Sequence, residues 1–390
     1  MKTLIELYDE RPLENVLSTD MFRPERTVFI CDEASAESGA QRKLKDYFRY
    51  RGIETELVFV SAKHYSASSV LRSLRRVTDM YPDCAIDITG GTDDELFASG
   101  MLCAERDVPV FTYSLKRNSF YSISNAPFTD AMKCTIEYKA EDFFRMAGGS
   151  MRRGRVDNAI LENYFDIIDP FFSVFMKNRR KWGDIVSYIQ RVSHVPKEQP
   201  VTLEAKGDYI VKGDRGRRIS APEAALRELE EIGMIKNLVI VPDAAVSFTF
   251  RDEQVRKWLR DVGSVLEIYI YKKFADSALF NDVHTSVVVD WEKNVNRDSV
   301  TNEIDVMAVR GVIPVFVSCK TCAVSTEALN ELAILRDRFG GKGARAAIVT
   351  SERGTAVMRN RARELDIAVF EQQDIISGGW KEKLAALMRR

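Results

Sequence analysis

From residue 3 to about residue 124, short runs of β-branched and aromatic residues alternate with stretches whose apolar side chains recur every three to four positions. The runs predict strands at 3–7, 27–31, 56–60, 85–89 and 108–112, with a further strand at 120–124. Between them the helical period predicts helices at 13–21, 39–51, 66–80 and 93–105. Such alternation is the pattern of βαβ units in a parallel sheet, because each crossover needs a helix to cover the sheet.

The pattern changes at about residue 141. Helical periodicity covers 141–146, 158–176 and 182–191 and then gives way to a polar segment. Ser220-Ala221-Pro222-Glu223 reads as a capping box that opens a helix running to Glu230, with Gly233 as its stop. An apolar, hairpin-like stretch follows at 238–241 and 245–250, so helix, turn and wing together resemble a winged helix. From 251 the order is an amphipathic helix at 251–280, strands at 285–291, 303–309 and 313–318, a helix at 325–339, a strand at 346–350, a helix at 355–364 and a strand at 368–370. The chain therefore divides into an α/β segment (1–140), a helical and winged-helix-like segment (141–250) and a compact mixed α/β segment (251–390).

Composition narrows the class. At 390 residues the chain exceeds one ordinary core, and 45% hydrophobic with 29% charged residues describes a globular protein rather than a disordered one. No stretch approaches 18 apolar residues and Glu6 interrupts the place where a secretory segment would be apolar, so the expected location is the cytosol. Lys plus Arg total 57 against 58 for Asp plus Glu, so a nucleic-acid partner would have to be met by local clusters. Three exist, Arg152-Arg153-Gly154-Arg155, Lys177-Asn178-Arg179-Arg180-Lys181 and the run from Lys212 to Arg218, and each reads equally as a solvated face. Six thinly spread cysteines and three histidines favour reduced thiols, and Cys319 with Cys322 lacks a second ligand pair at zinc spacing.

The chemistry concentrates in Asn302-Glu303-Ile304-Asp305 and Phe316-Val317-Ser318-Cys319-Lys320. Period-2 alternation puts Glu303 and Asp305 on one face of a strand and Ser318 and Lys320 on one face of its neighbour, so carboxylates and an ammonium converge. Phosphodiester hydrolysis needs such a set: carboxylate oxygens for a hard divalent cation, and an ammonium for the water or the anionic transition state. The plainer alternative is an exposed Glu303–Lys320 ion pair across two strands, worth about 0.2–1 kcal/mol.

The string resembles the PD-(D/E)xK nuclease core, with Asp305 at the first acid and Lys320 at the lysine. Ser318 stands where that family expects its second acid. The resemblance implies a restriction-endonuclease-like fold, a Mn²⁺ or Mg²⁺ cofactor, Glu327 or Glu331 on the next helix as the replacement acid, and Glu267 on the preceding helix beside Asp305 and Glu303 as a metal ligand.

A second signal is Asp87-Ile88-Thr89-Gly90-Gly91-Thr92-Asp93-Asp94, a strand running through a glycine turn into a helix, which suits an anion or serves chain reversal alone. With the domain order, it resembles the Rossmann-like CARF domain, and the whole chain is similar to the CARF plus restriction-endonuclease-like ancillary nucleases of type III CRISPR systems. That resemblance implies a homodimer binding cyclic tetra-adenylate through Asp9, Glu10 and Arg11 after the first strand and Thr89, Gly90, Gly91, Thr92 and Asp93 after the fourth. It further implies activated cleavage of single-stranded DNA or RNA in antiviral defence. An alternative reads Ser318 as the mark of a dead site, leaving a nucleotide-sensing regulator that binds duplex DNA through the middle segment. A dehydrogenase is disfavoured because no G-x-G-x-x-G follows the first strand.

Overall fold

A computed structural model describes residues 1–390 apart from 34, 36–38, 64, 153–157, 196–199, 214–215, 292–300 and 390. The first sheet is built from β1 (Thr3–Leu7), β2 (Arg26–Cys31), β3 (Glu56–Ser61), β4 (Cys84–Asp87), β5 (Val110–Ser114) and β6 (Ser119–Ser124), in the order β3-β2-β1-β4-β5-β6. β1 to β5 run parallel and β6 returns antiparallel to β5. All five residues of β1 are buried, as its apolar run requires of a central parallel strand. Helices α1 (Leu17–Phe22), α2 (Ala40–Tyr50), α3 (Ala67–Met80) and α4 (Asp93–Glu105) make the connections. The order reverses at β1, and open α/β sheets bind ligands at the carboxyl ends of their strands beside such a reversal.

The middle of the chain contributes α5 (Ala140–Met146), β7 (Ser150–Arg152), α6 (Asn158–Leu161), α7 (Phe165–Asn178), α8 (Trp182–Val192), β8 (Glu204–Asp208), β9 (Ile210–Lys212), β10 (Arg218–Ser220), α9 (Glu223–Glu231), β11 (Ile235–Val241) and β12 (Ala245–Phe250). β11, β12 and β8 form a three-stranded antiparallel sheet behind these helices. The capping box at Ser220 does not form. Ser220 pairs with Ile210 as the last residue of β10, and Pro222 caps the helix without a side-chain bond.

The rest comprises α10 (Glu253–Leu259), α11 (Ser264–Asp276), β13 (Asp282–Asp290), β14 (Thr301–Arg310), β15 (Ile313–Lys320), α12 (Thr326–Gly340), β16 (Arg345–Thr350), α13 (Ala356–Glu364), β17 (Ile367–Phe370), α14 (Gln372–Ser377) and α15 (Trp380–Leu387). The single helix expected at 251–280 is two. Asp252 caps α10 through the Val255 N–H, and Asp261 accepts from Gly263 and Ser264 N–H, which breaks the chain direction before α11. The sheet order is β17-β16-β15-β14-β13-β7. Its edge strand β7 pairs Ser150 with Asp290 and Arg152 with Val288, so a segment from before the middle helices completes this sheet.

Two cores bind these parts. One runs from Leu161 to Met388 and joins the middle helices to α10, α11 and one face of the second sheet, with Phe172 stacked on Tyr269 at 3.6 Å between ring centroids. The other unites the two large sheets, bringing Phe29, Phe111 and Phe144 into one cluster with Met307, Phe316 and Phe339. Phe144 meets Phe339 edge to face at 5.1 Å. Among the described residues no helix is long and apolar enough to cross a membrane.

Candidate functional site

The ladder between β14 and β15 ends at Val306↔Val317. Beyond it the Asp305 carboxylate accepts the N–H of Cys319 at 2.6 Å and the hydroxyl of Ser318 at 3.2 Å, and the Lys320 ammonium stands 3.7 Å away. Ser318, in the position where an acid was expected, thus acts as a donor to Asp305. The strand itself is irregular here. The β13–β14 ladder omits the Ser286–Asp305 pair, Ser286 has φ 51°, and the Thr285 hydroxyl donates to the Asp305 carbonyl at 2.9 Å. Ile304 and Val306, two residues apart, consequently join different cores, so simple alternation does not carry through Asp305.

Burial pushes the Asp305 carboxyl up, against Lys320 and the two donors. Glu267 on α11 is pushed up to about 8 by burial, with Asp305, Asp261 and Glu303 adding to it and Lys320 opposing. Negative potential therefore exceeds what Lys320 neutralises, and a cation placed there would return Glu267 to its ionised form. The donors are hard carboxylate oxygens, the type that suits Mg²⁺ or Mn²⁺. Among the described residues, no three His, Cys, Asp or Glu side chains are close enough to hold a metal ion in this conformation. Glu303, Asp305, Ser318, Lys320 and Glu331 line a cleft of about 50 Å³ between the sheet and α12. Glu331 is held there by the side-chain amide of Asn302 at 2.7 Å. Glu327 lies outside that lining, exposed in the first turn of α12, where its own backbone N–H and Ser325 hold its carboxyl below the usual range.

The second site is a cavity of about 390 Å³ at the carboxyl ends of β1 to β4. Asp9, Glu10, Arg11, Gly91 and Thr92 line it; Thr89, Gly90 and Asp93 do not. Asp9 organises the first loop, taking the Arg11 guanidinium at 2.8 and 2.6 Å, the Arg11 N–H at 2.9 Å and the Gly91 N–H at 3.2 Å. Burial acts to raise Asp9, and these partners outweigh it and lower its carboxyl. Gly91 has φ 95°, and a Cβ there would sit 2.6 Å from the Leu7 Cβ, so only glycine fits. Thr89 faces the strand instead. Its N–H donates to Asp87 at 2.7 Å, its hydroxyl also donates to Asp87, and its oxygen accepts the Tyr113 N–H at 2.9 Å. Tyr8, beside Asp9 in the expected first loop, lines the cavity too, and sequence reasoning missed Asp32, Lys63, Asp94 and Glu95, which complete the lining acids and the second cation. The signal was available, because Asp32 and Lys63 follow the second and third strands and so fall at the same sheet edge. Five carboxylates against Arg11 and Lys63 make this wall suited to hydroxyl and amino donors.

The two sites are mechanically close. Gly340-Gly341-Lys342-Gly343 ends the helix α12 whose first turns flank the cleft. A Cβ on Gly341 would meet Glu14 at 3.3 Å and Leu13 at 3.4 Å, and one on Gly343 would meet Leu115 at 2.7 Å. The Pro12–Asn15 turn that follows Arg11 thus rests directly on the loop behind α12.

Of the basic runs, Arg152 pairs with Asp290, Lys177 with Glu228 at 3.1 Å and Arg217 with Asp184 at 2.5 Å. Residues 153–155 and 214–215 of those runs lie outside the described residues.

Residues 252–386 match the family model described as the Card1-like endonuclease domain. Protein VC1899 from Vibrio cholerae is similar in structure, with a TM-score of 0.77 at 16% identity over 99% of this chain and 98% of that one. Can2 from Sulfobacillus thermosulfidooxidans, solved in complex with cyclic tetra-adenylate, has a TM-score of 0.71 at 16% identity over 100% of this chain and 98% of that one. No curated protein sequence matches the chain. In sequence residues 252–386 are similar to Card1-like endonuclease domains, and in fold the whole chain is similar to VC1899 and Can2.

Proposed function

We propose that the protein is a phosphodiester hydrolase, switched on by a cyclic oligoadenylate, that cleaves single-stranded DNA or RNA in antiviral defence. The observation that carries this reading is the Asp305–Lys320 pair at the broken ladder end with Glu267 beside it. Asp305, Glu267 and Glu303 would hold a divalent ion, which when bound polarises the scissile phosphate and lowers the pKa of a water. Lys320 positions that water or the developing negative charge, and Ser318 and the Cys319 N–H fix the Asp305 carboxylate. Glu331, already in the cleft, is better placed than Glu327 to complete the acid set.

The cavity at β1 to β4 is the proposed ligand site, and the complex of Can2 with cyclic tetra-adenylate makes that ring the ligand to test first. In a homodimer two such cavities would face one ring. The route onward is Arg11 to the Pro12–Asn15 turn, to Gly341 and Gly343, and along α12 to Glu331. A ligand activates only by binding the competent arrangement more tightly, so this contact must differ between states.

The test incubates the protein in manganese with labelled single-stranded DNA, RNA or duplex DNA, with and without cyclic tetra-adenylate, beside Asp305→Ala. Cleavage that requires ligand, metal and Asp305 together supports the proposal. Undiminished cleavage by a folded Asp305→Ala protein sinks it, and ligand binding without cleavage in any condition makes the protein a sensor alone.

A further inference from the structure

A third cavity, of about 440 Å³, lies at the seam between the middle helices and α11 and is lined by Gln254, Arg256, Lys257, Trp258, Arg260, Asp261 and Ser264. Three of these residues carry a buried nitrogen with no hydrogen-bond partner: Gln254 Nε2, Arg256 Nε and Trp258 Nε1. All three are donors. An unpartnered buried donor costs about 1–3 kcal/mol, so these residues lie at a place short of acceptors.

The charge agrees. Arg256 and Arg260 converge on one carbonyl at the end of α8, that of Ser193, at 3.4 and 2.6 Å. Burial, then repulsion from Arg256, holds the Arg260 guanidinium below its usual range. Two guanidinium groups held this close favour an anion. Lys257 adds a third cation at the rim, its side chain 54% exposed and 3.2 Å from Glu253. The lone acid of the lining, Asp261, is turned to the Gly263 and Ser264 N–H groups at 2.7 and 2.9 Å.

Position gives the anion its identity. Ser264 lines the cavity and opens α11, and Glu267 of the proposed cleavage centre lies one helical turn further on, a rise of about 5 Å. We propose that Gln254, Arg256, Lys257 and Arg260 form a cradle for the sugar-phosphate backbone of the substrate strand, beside the bond that is cut. This rests on the nuclease reading for the word substrate, and on the cavity alone for the phosphate.

The test is fluorescence anisotropy of a labelled single-stranded oligonucleotide on the full-length protein in EDTA, so that no cleavage intervenes. Arg256→Gln combined with Lys257→Gln should bind about 10-fold more weakly. The slope of log affinity against log salt should shrink by about 1.4, because two cations no longer neutralise phosphates of a single strand. Asp305→Asn, which leaves the cradle intact, should bind at least as tightly as the native chain. If melting shows the double variant to be unfolded, Lys257→Glu replaces it and should still weaken binding. Unchanged affinity and salt slope in folded variants overturn the cradle, as does a native chain that binds no strand. Inorganic phosphate that binds through these residues without displacing the strand would reduce the cavity to a small-anion site and overturn the backbone assignment. Strand binding that depends on these residues in a protein that never cleaves would leave the cradle standing and remove the nuclease reading.

Discussion

Asp87 is the last residue of β4, 1% exposed, and lies across from Glu6 of β1 in the parallel ladder. Its carboxylate holds the glycine turn through Thr89 and also takes the Ser18 hydroxyl. Burial nonetheless raises its pKa from 3.8 to about 6, against the pull of Ser18 and Thr89. A carboxyl raised on folding is protonated preferentially in the native state. Its stabilising contribution is therefore complete below the unfolded pKa near 4 and is lost as pH rises through the folded value near 6. A shift of about two pK units is worth about 3 kcal/mol in all, of which about 2 kcal/mol falls between about pH 4.5 and 7. Asp87→Asn keeps an acceptor for Thr89 and removes the titration. Relative to the native chain the variant should gain about 2 kcal/mol in denaturant unfolding between those two pH values. Glu6, which burial and Asp87 hold well above the ordinary range, adds in the same direction once its neighbour is neutral. A stability difference between variant and native chain that stays flat with pH refutes this account of the turn.

Gly91→Ala should cost at least ~1 kcal/mol for the positive φ, more with the 2.6 Å contact to Leu7, and should abolish the response to cyclic tetra-adenylate in a cleavage titration. Gly343→Val should leave ligand affinity intact, measured by calorimetry, while weakening the dependence of cleavage on ligand, because its side chain must displace Leu115. An unaltered activation curve would remove the α12 route. Phe172→Ala deletes a ring stacked between α7 and α11 and should lower stability by about 3–5 kcal/mol in chemical denaturation.

Much of this architecture is legible in the sequence, for reasons specific to each element. The runs around Leu4, Val28 and Ile86 are short, β-branched and separated by helical periods, which only a covered parallel sheet satisfies. Asp305 and Lys320 are legible as a spacing, since Lys320 ends an apolar strand and Asp305 interrupts the one beside it. What the spacing omits is the bend at Ser286 that takes Asp305 out of the alternation, because positive φ at a serine follows from its surroundings. The Ser220 motif misleads because Pro222 reads as a first-turn residue there, yet pairing of β10 with β9 claims Ser220. Arg256 and Arg260 are four residues apart, and only the meeting of α10 with the end of α8 brings them to a common carbonyl.

β7 is three residues long, yet it closes the edge of the sheet that carries Asp305. The sequence similarity to Card1-like endonucleases begins at residue 252, about a hundred residues after that strand. A fragment cut at 252 would expose β13 as an open edge, a row of unpaired N–H and C=O groups that invites pairing with other chains. The sheet is accordingly larger than the stretch of sequence similarity. A graft of residues 252–386 onto a different N-terminal segment would have to carry residues 150–152 with it, or supply a substitute strand.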